Sequence, residues 1–76
     1  VSLPEAATVF LAPRAVTVYD AEHSDVEDRW ITLGISSVGR LLVVSHTFEE
    51  IGPRRGLVRV ISARRPAAKE ALQYGQ

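Results

Sequence analysis

Arg29-Trp30-Ile31-Thr32-Leu33-Gly34-Ile35-Ser36-Ser37-Val38-Gly39-Arg40-Leu41-Leu42-Val43-Val44-Ser45-His46-Thr47 reads as two extended runs joined by a turn. In the first run Ile31, Leu33 and Ile35 alternate with small or polar neighbours, the period of two that sets them on one side of a strand. In the second, residues 40–47, Leu42, Val44 and His46 share one side, and Leu41, Val43, Ser45 and Thr47 share the other. His46 thus stands at the polar end of an apolar row. Ser36-Ser37-Val38-Gly39 is turn chemistry, so the two runs form a hairpin.

The flanks extend this hairpin into a sheet. Residues 15–19, Ala-Val-Thr-Val-Tyr, are a short β-branched strand, and residues 20–28 that follow are a polar, acidic loop. After the hairpin, residues 49–56 carry Gly52-Pro53 and two Arg and predict a loop, which leads to a fourth strand over residues 57–63. Sequential strands with short links pair antiparallel. Helices bracket them. Ser2-Leu3-Pro4-Glu5 fits a capping box, and Leu3, Ala6, Ala7, Phe10 and Leu11 recur at helical spacing as a core-facing stripe that ends ahead of Pro13. Pro66 opens a second helix containing Ala67, Ala68, Glu70, Ala71 and Leu72. The expected architecture is an α+β domain, a four-stranded antiparallel meander with an N-terminal and a C-terminal helix.

A chain of 76 residues holds one core and therefore one domain over residues 1–76. Its 46% hydrophobic and 24% charged composition is that of a folded domain and not of a disordered tail. No apolar run approaches the roughly 18 residues of a membrane span, and no signal-peptide pattern is present, so the cytoplasm is the expected compartment. The absence of Met predicts a processed chain or a fragment. With no Cys, disulfides are excluded, and two His without thiols make a structural zinc unexpected. A small core without these aids points to a partner.

The formal net charge of zero conceals a split: residues 1–28 hold one base against six acids, and residues 29–76 hold eight bases against three acids. Two electrostatic faces are expected, one of them suited to a polyanion. No phosphate-cradling Gly motif, serine-hydrolase elbow or metal-ligand spacing occurs. What remains is basic. Arg59 lies within the fourth strand, Arg64 and Arg65 end it, and Lys69 follows in the first turns of the last helix. A strand end running into a helix N-terminus gathers unpaired N–H groups, and guanidinium forks there suit phosphate. The same Arg are equally able to solvate the sheet end or pair with Glu70. His46 is either a hydrogen-bonded packing residue or a proton carrier.

Together, Glu5-Ala6-Ala7-Thr8-Val9-Phe10, Tyr19-Asp20 with Glu22-His23-Ser24, residues 27–34, Arg40-Leu41-Leu42-Val43-Val44 with His46-Thr47, and Ile61-Ser62-Ala63-Arg64-Arg65 with Glu70 and Tyr74 closely resemble the BrnT toxins, in order along nearly the whole chain. The resemblance implies a RelE-like ribonuclease toxin of a type II toxin–antitoxin system, held inactive by a DNA-binding, BrnA-like antitoxin. It implies metal-independent cleavage of RNA by 2′-OH attack, without a cofactor. By carry-over the catalytic positions are His46, Arg64, Arg65 and Tyr74, with Arg59 and Lys69 as RNA-binding bases. By the resemblance the chain is expected to start after the family's leading strand and helix; its last helix has fewer bases than in many relatives, and the segment 48–56 is longer. The exposed sheet edge this leaves is expected to pair with a second copy or another chain. The competing reading is an inactive interaction module whose basic sheet end docks an acidic partner or nucleic acid.

Overall fold

A computed structural model describes residues 1–74. Helix α1 (Leu3–Thr8) continues as a 3₁₀ turn over Val9–Leu11, and is followed by strands β1 (Val16–Tyr19), β2 (Trp30–Ile35), β3 (Leu41–Gly52) and β4 (Arg55–Arg64) and by helix α2 (Ala68–Tyr74). The four strands form one antiparallel sheet in the order β1-β2-β3-β4, the expected meander between two helices. No helix among the described residues is long and apolar enough to cross a membrane.

The start of α1 is capped as its sequence predicts, with the Glu5 N–H donating to Ser2 Oγ at 3.2 Å. The reciprocal half of the box does not form. The Glu5 carboxylate instead receives Arg40 Nε at 3.0 Å and the Ser36 hydroxyl at 2.8 Å, tying α1 to the β2–β3 turn. Those partners, Arg40 foremost and Ser36 next, hold the Glu5 carboxyl below its usual range. The expected core stripe of the helix is also corrected. Ala6 and Val9 are fully buried and Phe10 packs beside them, whereas Leu3 is 62% and Leu11 84% exposed. The tightening from 3.6 to three residues per turn after Thr8 rotates Val9 inward and Leu11 outward.

The core lies where α1 meets Leu42, Val44, Val60 and Ala63 of the sheet. On β2 it is Thr32 and Gly34, not the apolar Ile31-Leu33-Ile35 row, that turn toward α1. Close approach explains this. A Cβ on Gly34 would lie 2.8 Å from Val9 Cγ1 and 3.2 Å from the Val9 carbonyl, so only glycine admits the 3₁₀ turn at that distance. The opposite sheet face carries the rows Val16-Leu33-Val43-Arg64 and Val18-Ile31-Ser45-Ser62.

The segment 49–56 is not a loop. β3 and β4 keep pairing through Phe48↔Val58 and Glu49↔Leu57 to Gly52↔Arg55, leaving Pro53 and Arg54 as the turn. Proline followed by a residue at positive φ, here Arg54 at 61°, is the pattern of a tight type II reversal. Because β2 begins only at Trp30, opposite His46, the β3–β4 pairs beyond it form a two-stranded arm.

Candidate functional site

Two tight structures bring polar chemistry to the face opposite α1. The first is the loop between β1 and β2. The Asp20 N–H donates to the Arg29 carbonyl at 2.9 Å, and Ser24 Oγ both donates to the Asp20 carbonyl at 2.6 Å and accepts from the Arg29 N–H at 3.0 Å. With its ends stapled, the loop holds a 3₁₀ turn, Ala21–His23, that places His23 Nδ1 2.9 Å from Asp20 Oδ2. The ring donates there, since a carboxylate only accepts, and its Nε2 is left as the free nitrogen. Asp20 is 11% exposed at its side chain and His23 63%, so a sheltered carboxylate orients an accessible imidazole.

The second is a β-bulge. Ser45 pairs with Ser62 but His46 pairs with Val60, so Ile61 is an extra residue in β4. In a regular strand Arg59 and Arg64, five apart, point to opposite faces; the one-residue shift puts both on the face opposite α1. There Arg59 Nη2 meets Glu27 Oε1 at 2.6 Å and fastens the loop to β4. Asp20, His23, Arg29, Ser45, Ser62 and Arg64, with Ile31 and Ile61, line an open cleft of about 250 Å³. Arg29 Nε is buried without an acceptor among the described residues.

The sequence-predicted site residues are dispersed relative to this cleft. Arg64 lines it, but its two terminal nitrogens sit 2.8 and 3.0 Å from the Glu70 oxygens. Glu70 Oε1 also accepts the Ala67 N–H at 2.9 Å, so an internal carboxylate already occupies the strand-end and helix-start position expected to attract phosphate. The Arg64 fork, then the Ala67 N–H, lower the Glu70 pKa to about 2, while Glu70 raises that of Arg64. Arg65 is turned away and lines a separate hollow with Arg40, Leu41 and Pro66. Lys69 is exposed at the start of α2. Tyr74, half-buried at the end of α2, lies over Val16, Val18 and Leu33 on the cleft face.

His46 is on the other face. It is 4% exposed, its Nδ1 donates to the Thr47 carbonyl at 3.2 Å, its Nε2 accepts from Thr32 Oγ1 at 2.7 Å, and its ring meets Phe10 edge-on with centroids 4.7 Å apart. Burial holds its pKa below the usual range, with the Thr47 carbonyl opposing. The sheet separates it from Arg64, and Arg59, held by Glu27, does not bridge them. Sequence reasoning missed His23, Asp20 and Arg29 as a group. The available signal was the Asp-x-x-His spacing of one turn, inside a loop read as polar and acidic.

The charge split between the two halves of the chain does not make two faces. Glu5 pairs with Arg40 and Glu27 with Arg59, so acids of the first half meet bases of the second. Among the described residues no three His, Asp or Glu gather as a metal-binding group. A family model described as "Ribonuclease toxin, BrnT, of type II toxin-antitoxin system" matches residues 1–70. No curated protein matches the chain.

Proposed function

Since the chain belongs to the BrnT family of ribonuclease toxins of type II toxin–antitoxin systems, we propose that it is a metal-independent endoribonuclease that cuts RNA in the cleft between the loop 20–29 and the end of β4. The observation that carries this reading is the convergence on one sheet face of Arg64, Arg29 and the Asp20–His23 pair, with the Ser45 and Ser62 hydroxyls between them. Attack of a ribose 2′-OH on the adjacent phosphate builds negative charge on the phosphoryl oxygens, and fixed guanidinium donors stabilise that charge. Arg64 meets the phosphate by exchanging Glu70 for it, one bidentate acceptor for another. Tyr74, on the cleft face, and Lys69, exposed at the start of α2, are left to contact the RNA; Arg65, in its separate hollow, is not. His46 serves the core.

A DNA-binding antitoxin neutralises the toxin by laying acidic or polar side chains over Arg64, and both act in the cytoplasm, where the RNA is. Complementary charge speeds such an association and makes it salt-sensitive. The test is cleavage by the wild-type chain and by Arg64→Lys. Lysine keeps the charge but lacks the planar fork, and losing one well-placed donor to a transition-state oxyanion costs about 10²- to 10³-fold in rate. The wild type is expected to cut RNA in excess EDTA, leave a 2′,3′-cyclic phosphate and spare the 2′-deoxy analogue. A folded Arg64→Lys variant that cuts at the wild-type rate removes Arg64 from the reaction.

A further inference from the structure

We infer that His23, oriented by Asp20, is the group that takes the proton from the attacking 2′-hydroxyl. The inference rests on the ribonuclease reading above and adds to it the residue that moves the proton. Three observations carry it. Asp20 Oδ2, at 2.9 Å from Nδ1, sets the tautomer that leaves Nε2 as a base, the arrangement by which carboxylates prepare histidines for proton transfer. The pair lines the cleft that Arg64 also lines, so a phosphate on Arg64 and a proton acceptor share one hollow. The loop carrying them is fixed by the Ser24 hydrogen bonds at both ends and by the Glu27–Arg59 pair to β4, which meets the need of general base catalysis for a held geometry.

The step balances. Nε2 accepts the 2′-hydroxyl proton as the 2′ oxygen forms its bond to phosphorus; the bond from phosphorus to the 5′ oxygen breaks with its electron pair on that oxygen, which takes a proton from water. The products are a 2′,3′-cyclic phosphate and a 5′-hydroxyl end, and the imidazolium returns its proton to solvent. Arg29 lines the same cleft as His23 and adds a second positive charge to its wall.

The experiment uses the whole chain and a fluorogenic oligodeoxynucleotide containing a single ribonucleotide. His23→Gln is expected to lose about 10²-fold or more in kcat/KM, the usual share of a general base. The wild-type rate should fall on an acidic limb that is absent from His23→Gln, and added imidazole should restore part of the activity of His23→Ala. Asp20→Asn should lower the rate while leaving a base at Nε2. Cutting by His23→Gln at the wild-type rate with the same acidic limb overturns the inference and leaves the ribonuclease reading standing. An early-melting His23→Ala that imidazole does not rescue assigns His23 to holding the loop and overturns it too. A wild-type chain that cuts no RNA overturns both.

Discussion

A histidine at the polar end of an apolar strand row has two natures, and His46 takes the structural one. Its Nε2 accepts from Thr32, whose oxygen in turn accepts from Thr17 at 2.7 Å, so the buried neutral ring has both nitrogens paired. The pH consequence follows from the lowered pKa. The unfolded chain binds a proton at His46 below about pH 6.5 while the folded chain does not, so the stabilisation is whole above that pH and is lost as the pH falls from there toward the lowered folded value. Melting temperatures taken at about pH 7.5 and 5.5 should show a larger acid-side drop for the wild type than for His46→Gln. Equal drops would mean that the imidazole protonates in place. Cleavage by a folded His46→Gln should persist, because the ring lies across the sheet from Arg64.

At the scale of elements, α2 and the β3–β4 arm carry no fully buried residue beyond His46. α2 has no buried residue and Leu72 is 67% exposed; Glu70 ties it to Arg64 of β4 and caps its own Ala67 N–H, and Tyr74 lies over Val16, Val18 and Leu33. Glu70→Gln removes the negative charge from the tie to Arg64. Partly exposed ion pairs contribute about 0 to 1 kcal/mol, so a fall in melting temperature of a few degrees is expected, together with tighter binding of a labelled, uncleavable RNA as the Arg64 fork loses its competitor. Unchanged RNA affinity in fluorescence anisotropy would show that phosphate does not use that fork. The arm is a two-stranded ribbon, a form marginal by itself, and Phe48 crosses Gly56 so closely that a Cβ there would lie 2.5 Å from the ring.

For the whole molecule the small core is the governing fact. Ala6, Val9, Leu42, Val43 and Val44 are its only buried apolar residues among those described, while Val16 and Val18 of the outermost strand are each 52% exposed. β1 has a neighbour on one side only and offers its other edge to any strand. Association through β1 is therefore expected: light scattering at tens of micromolar should give a dimer, and Val18→Lys should return it to monomer by placing charge on the strand. A monomer at every concentration would leave that edge to the antitoxin or to solvent.

The sequence by itself determined what depends on near neighbours: the alternation of residues 30–35 and 41–47, the Ser2 cap, the turn ending at Gly39, the four-strand meander and the run of residues that marks the family. These are legible because period, capping and turn preference involve residues a few positions apart. Only the tertiary structure decided which face each strand buries, since Gly34 under Val9 outweighs the more hydrophobic Ile31, Leu33 and Ile35. It also decided that Arg59 and Arg64 share a face, because a bulge at Ile61 is set by pairing with β3 and leaves no mark in β4 alone. The Arg64–Glu70 pairing was open from the spacing and closed by geometry. His23 and Arg64 stand 41 positions apart in the chain, and only the packing of the loop 20–29 beside β4 brings them to one cleft.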